Sequence, residues 1–172
     1  MELSKLFDLP AHPLLVHVPV VLLPIAGLMA IAMAIRLQWL ERYGWWLVGT
    51  SGVGALGAVL AAGSGESLEE SVKRSETLRR HAELGESART VSLVFFTVAL
   101  IIVGVRWWAR RHLAAGRESA APHHVARFVR SKAGVAIASV ALVVLAITST
   151  VTITMAGHQG AKSTWQDVQL RD

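Results

Sequence analysis

The sequence predicts an all-α fold, an integral membrane four-helix bundle that runs up and down, with a helical outer loop. Hydrophobic residues make up 53% of the 172 residues, and the mean hydropathy of +0.48 is too apolar for a soluble domain of this size. Four apolar runs are each long enough to cross a bilayer, which takes about 20 residues per helix. We place these spans at 14–35, 44–62, 90–108 and 133–156, within a single domain that covers residues 1–172.

The first span follows an acidic, proline-containing tail rather than the basic head of a signal peptide, and it continues unbroken to Arg36. We therefore expect it to be kept as a helix and not removed. Pro13 suits the first turn of a helix, whereas Pro19 and Pro24 each leave a backbone carbonyl without its helical donor. These two prolines predict a bend close to His17.

Small residues recur at helical spacing along the second span and at the start of the third, where they include Ala58 and Gly85. Small side chains let a neighbouring helix approach closely, which is the commoner reason for such a face. They would equally let a flat macrocycle lie against the backbone. The sequence leaves both interpretations open.

The outer loop, residues 63–89, mixes acids and bases in a helical pattern. Each acid precedes its base by four residues, which favours an amphipathic helix that leads into the third span and caps the outer face. The pairs are Glu69 with Lys73, Glu70 with Arg74, and Glu76 with Arg80.

Basic residues are concentrated after the first and third spans, the latter segment being the loop at 109–132. They are Arg36, Arg42, Arg106, Arg110, Arg111, Arg117, Arg127, Arg130 and Lys132. Only Glu41 and Glu118 oppose them, so this side is predicted to be cytoplasmic and both termini to lie outside. Tryptophans mark the same face, namely Trp39, Trp45, Trp46, Trp107 and Trp108. The net charge of +5 therefore indicates topology and contact with anionic lipid, not nucleic-acid binding.

Four alternating helices bring His12, His17, His81 and His158 to the outer face, with Glu66 beside them. A single histidine near a helix end is often an interfacial residue bonded to backbone or water. Four of them from three helix ends predict a site, because an unpaired imidazole is costly in hydrocarbon. Counted from the cytoplasmic side, His17 lies deeper than the other three. The remaining histidines are interpreted as solvated residues of the basic loop, namely His112, His123 and His124.

The chain has no cysteine. This excludes disulfides, thiolate ligands, iron–sulfur clusters and covalent haem attachment through Cys-x-x-Cys-His. We find no phosphate-binding loop, nucleophile elbow or His-Glu-x-x-His signature. No internal repeat is convincing in the sequence. Histidine and carboxylate remain as the strong metal ligands.

Three short segments, "HPLLVHVPV", "HAELG" and "AGHQG", resemble the bacterial membrane family catalogued as domain of unknown function 2231, and the likeness spans nearly the whole chain. The resemblance implies a module similar to small b-type cytochromes, in a redox setting, since some members are joined to Rieske or cytochrome c domains. It carries over to His12, Pro13, His17, His81, Gly157 and His158.

Our leading expectation is a haem-b-binding electron-transfer protein, or a cytochrome-like subunit of a respiratory complex, in the bacterial inner membrane. It would be an electron carrier rather than a stand-alone catalyst, with one or two haems. The first and third helices of an up-down bundle are diagonal, so we expect His17 and His81 to ligate the iron. His17 is preferred over His12 because Pro13 starts the helix and leaves His12 at a frayed end. The electron partner would be a separate redox protein, a respiratory complex or a quinol.

Under this expectation His12 and His158 either support the first haem or ligate a second, and Ala58 and Gly85 pack against the macrocycle. The first alternative is a membrane protein that binds or conducts copper or zinc through His12, His81 and His158. The second is a structural subunit without a cofactor. Assembly of identical copies is compatible with all three.

Overall fold

The computed structural model describes residues 5–6, 9–69, 75–114 and 122–165. The helices are α1 (Ala11–Leu15), α2 (His17–Ile35), α3 (Leu37–Glu69), α4 (Glu76–Ala114), α5 (Pro122–Arg130) and α6 (Lys132–Trp165). A short antiparallel ladder precedes them, in which β1 (Lys5–Leu6) pairs with β2 (Leu9–Pro10). The predicted all-α fold is confirmed.

Four stretches of helix are long and apolar enough to cross a membrane: His12–Ile35, Leu37–Glu66, Glu76–Arg111 and Lys132–Lys162. Each span placed from the sequence lies within one of them. The irregularity predicted near His17 is an interruption at Val16, between α1 and α2. Pro19 follows within one turn and cannot donate to the carbonyl of Leu15, which accounts for the break. Pro24 lies inside α2 without ending it.

The described parts of the outer loop prolong the spanning helices. Helix α4 has 39 residues and is therefore about 58 Å long at about 1.5 Å per residue, well beyond the bilayer core. Its exposed outer turns carry the predicted pair Glu76–Arg80, with 3.1 Å between Oε1 and Nε. Arg79 adds ion pairs with Glu76 and Glu83. The other two predicted pairs lie outside the described residues.

The four spanning helices pack in a ring, in which α2 contacts α3 and α6 while α4 contacts the same two helices. Helices α2 and α4 are therefore diagonal, as are α3 and α6. Large apolar side chains fill the centre, with Leu23, Leu47, Phe95 and Leu142 fully buried. At Gly27 a Cβ would lie 2.8 Å from Oγ1 of Thr150, so glycine is what lets α2 and α6 approach.

Candidate functional site

The structure brings His12 and His81 together at the outer end of the bundle. Their ring centroids are 5.9 Å apart and their planes are inclined by 81°. His12 lies on α1 and His81 on α4, so the two imidazoles come from diagonal sides of the bundle. Both side chains are half-buried. This juxtaposition of two titratable groups that can ligate a metal makes the pair the candidate site.

Each imidazole is tied by its Nδ1 atom to a different neighbouring helix. Nδ1 of His12 lies 2.9 Å from the carbonyl oxygen of Ala61 on α3. Nδ1 of His81 lies 3.0 Å from the carbonyl oxygen of Ala156 on α6. A carbonyl can only accept, so Nδ1 donates in both rings and Nε2 keeps its lone pair in the neutral form. Histidines that bind metals are oriented by this same kind of bond.

Glycines allow the two rings to lie against the backbone of these helices. A Cβ at Gly65 would lie 3.0 Å from Cε1 of His12, and a Cβ at Gly160 would lie 2.8 Å from Cε1 of His81. The separation at Gly160 is shorter than real Cβ atoms show and the one at Gly65 is tighter than most real contacts, so each ring occupies space that a side chain would need. Oγ of Ser64 also lies 3.3 Å from Nδ1 of His12. This hydroxyl donates a hydrogen bond to the carbonyl oxygen of Ala61.

The two halves of the site follow one pattern: a histidine bonds the carbonyl of an alanine, and a glycine four residues later packs under its ring. The sequence separation between His12 and His81 also relates further buried residues of the first span to buried residues of the third. The sequence separation between Ala61 and Ala156 relates buried residues of the second span to those of the fourth in the same way. The matched buried pairs are Leu23 and Ser92, Ala26 and Phe95, Ala30 and Ala99, Leu47 and Leu142, and Ser51 and Ala146. The two helical hairpins thus bury corresponding positions, and the histidine pair brings together one residue of each hairpin.

His17 lies elsewhere. Its side chain is exposed, and its Nδ1 donates to the carbonyl of Pro13 on α1, at 2.6 Å. We expected His17 to face His81, whereas His12 occupies that position. The reason is that α1 begins at Ala11, so Pro13 lies within its first turn and His12 is held in the helix.

The other predicted site residues lie at the same end of the bundle as the pair. His158 is exposed, and so is Glu66, whose Oε1 lies 3.8 Å from Nη1 of Arg89. Within the described residues, no three or more His, Cys, Asp or Glu side chains come together as a metal site. The ligand roles suggested for His17 and His158 stay predictions. At the opposite end His124 is exposed, and the side chains of His112 and His123 lie outside the described residues.

Ala58 and Gly85 differ in their surroundings. Ala58 is 5% exposed in the packed core, whereas a Cβ at Gly85 would meet no atom within 4 Å. We expect Ala58→Leu to lower the free energy of unfolding by about 1–3 kcal/mol, because it overpacks a filled space. Gly85→Leu should leave stability unchanged or raise it, since leucine favours helix. Thermal unfolding in detergent measures both, and equal losses of stability would contradict this account. Whether either residue packs against a macrocycle stays a prediction.

A family model described as a predicted membrane protein, DUF2231, matches residues 8–169. Neither a curated protein nor a solved structure matches the chain.

Proposed function

Because this chain belongs to DUF2231, a family of predicted membrane proteins, we propose that it is a haem-b-binding electron-transfer protein of the membrane. In this proposal His12 and His81 ligate one haem iron. The observation that carries it is the pair of imidazoles on diagonal helices, each anchored through Nδ1 to a third helix. The pairing of His17 with His81 is the competing assignment.

The donor set fits the group. If the two imidazoles held one metal between them, at about 2 Å per nitrogen, their ring centroids would lie about 6 Å apart. The centroids of His12 and His81 are 5.9 Å apart. Both rings have Nδ1 engaged by a carbonyl, so Nε2 is the atom left to bind. A bound haem would supply reversible one-electron transfer.

The protein's own residues hold the imidazoles and limit access of water. The carbonyls of Ala61 and Ala156 fix the tautomer and orientation of each ring and make it a better ligand. An apolar cluster follows along the helices towards the bundle centre, formed by Leu23, Ala88 and Ile153 with Ala156. It closes the inner side of the site, because none of these side chains can carry water or protons. The outer side remains the route for exchange with an electron partner.

We place the protein in the bacterial inner membrane, with this site and both termini outside. The partner would be a separate redox protein, a respiratory complex or a quinol. The concentration of arginine at the opposite end supports this orientation through the positive-inside rule.

The orientation predicts the labelling of single cysteines in a chain that otherwise has none. Ala82 and His124 are exposed near opposite ends of the bundle. On intact cells, a membrane-impermeant maleimide should label Ala82→Cys, whereas His124→Cys should react only after permeabilisation. The reverse result would place the histidine pair on the cytoplasmic side.

The absorption spectrum of the purified protein, expressed with haem supplied, tests the proposal. We expect a Soret band that shifts on reduction, with haem at one equivalent per chain, or two if His17 and His158 hold another. Stoichiometric copper or zinc without a Soret band would replace the proposal with a metal-binding function. If the purified protein contains neither haem nor metal, a structural subunit without a cofactor would be the remaining function.

A further inference from the structure

Helix α5, at the arginine-rich end of the bundle, has one apolar and one basic side. Val125, Phe128 and Val129 recur at the spacing of one helix face, and Arg127 and Arg130 lie on the other. Val125 is 48% exposed and Phe128 is 53% exposed. With 9 residues, α5 is far shorter than the about 20 residues that cross a bilayer. It is therefore an amphipathic helix whose apolar side the bundle leaves largely uncovered.

Contacts with α4 and α6 fix the C-terminal end of α5. Nη1 of Arg106 donates to the carbonyl of Val129 at 3.1 Å, while its Nη2 pairs with Glu41 at 3.0 Å. Only Ser131 separates α5 from α6. A Cβ at Gly134 would lie 2.1 Å from the carbonyl oxygen of Phe128, so only glycine permits this close turn. Helix α5 is thus held at the membrane end of the spanning helices.

The surroundings of α5 are those of a lipid headgroup layer. Trp45 and Trp107 stack edge to face at the same end, with centroids 6.2 Å apart, and amphipathic indoles favour the headgroup level. The guanidinium of Arg111 lies 4.2 Å from the ring centroid of Trp107. Arg110 is exposed beside it. Positive charge combined with exposed apolar side chains complements anionic lipid.

We propose that α5 is an interfacial helix that binds anionic lipid in the leaflet at the arginine-rich end. Val125 and Phe128 insert among the acyl chains, while Arg127 and Arg130 contact the phosphates. This inference is independent of the cofactor at the histidine pair, which lies at the other end of the bundle.

Single cysteines test the insertion, because the chain has none of its own. Phe128→Cys on the apolar side and the control Arg127→Cys on the basic side each carry a fluorophore, in full-length protein reconstituted into phosphatidylglycerol–phosphatidylcholine vesicles. We expect lipid-attached nitroxide to quench the probe at 128 severalfold more than the probe at 127, and aqueous iodide to show the reverse. Equal quenching by iodide would overturn the proposal. Protection of the probe at 128 from both quenchers would also overturn it, since protein would then cover α5.

The charge requirement is tested with spin-labelled phosphatidylglycerol. One arginine near an anionic surface favours association about fivefold. The double variant Arg127→Gln and Arg130→Gln should therefore slow the motion of severalfold fewer of these spin-labelled lipids than the wild type does. The control is Arg79→Gln with Arg80→Gln at the other end, which should restrict as much as the wild type. Unchanged restriction in the first variant would overturn the role of anionic lipid.

Discussion

Replacing His81 with alanine is expected to abolish haem binding or to leave five-coordinate, high-spin iron. His12→Ala should have the same effect, because the two imidazoles approach each other to 5.9 Å between centroids and each supplies one ligand in the proposed haem site. Both variants should still insert and fold, since neither histidine belongs to the buried core. Haem stoichiometry and the spin state in the visible spectrum measure the result.

Two other outer histidines provide matched controls. His17 and His158 are exposed, and His17→Ala and His158→Ala should retain low-spin haem and change at most its potential. If they ligate a second haem, each would instead halve the stoichiometry. Loss of all haem in His17→Ala with full binding in His12→Ala would restore the pairing of His17 with His81.

Replacing Gly160 with leucine is expected to weaken haem binding by about 10–100-fold, the range seen when a group that orients a metal ligand is changed. A Cβ there would lie 2.8 Å from Cε1 of His81, so leucine must push the ring away from the carbonyl of Ala156. Haem titration of the purified variant gives the change in affinity. Circular dichroism should show unchanged helix content, because leucine favours helix over glycine.

Gly157→Leu is the control for this variant. A Cβ at Gly157 would meet no atom within 4 Å, although the residue lies on the same turn of α6 as Ala156. The first hairpin offers an equivalent comparison of Gly65→Leu with Gly63→Leu, since a Cβ at Gly63 also meets no atom within 4 Å. Equal affinities for Gly160→Leu and Gly157→Leu would show that the ring does not need the space at Gly160.

The four spanning helices could be predicted because long apolar runs have few alternatives to a membrane helix. The meeting of His12 and His81 at one end also followed from the alternation of four helices. The sequence favoured His17 over His12 as the partner of His81, whereas His12 lies next to His81 in the structure. His12 and His17 are five residues apart, and which of them faces inward depends on helix rotation and on the break at Val16. The pattern of residues does not fix either quantity.

The correspondence between the hairpins was missed because several equivalent positions share burial rather than chemistry. Ala26 corresponds to Phe95 and Leu23 corresponds to Ser92, which are chemically different pairs although all four residues are buried. A sequence signal did exist. The segments "AAGSG" and "AGHQG" both place glycine four residues after alanine at the outer ends of the second and fourth spans.

The electron paramagnetic resonance spectrum of the ferric, haem-loaded full-length protein tests the central claim most directly. The carbonyls of Ala61 and Ala156 hold the imidazole planes 81° apart. Two nearly perpendicular imidazoles on one iron give a strongly anisotropic low-spin signal, because axial-ligand identity and orientation set the electronic state of the iron. We therefore predict this signal in the wild type and its loss in His12→Ala and His81→Ala. A dominant high-spin signal in the wild type at full haem occupancy would contradict ligation by this histidine pair.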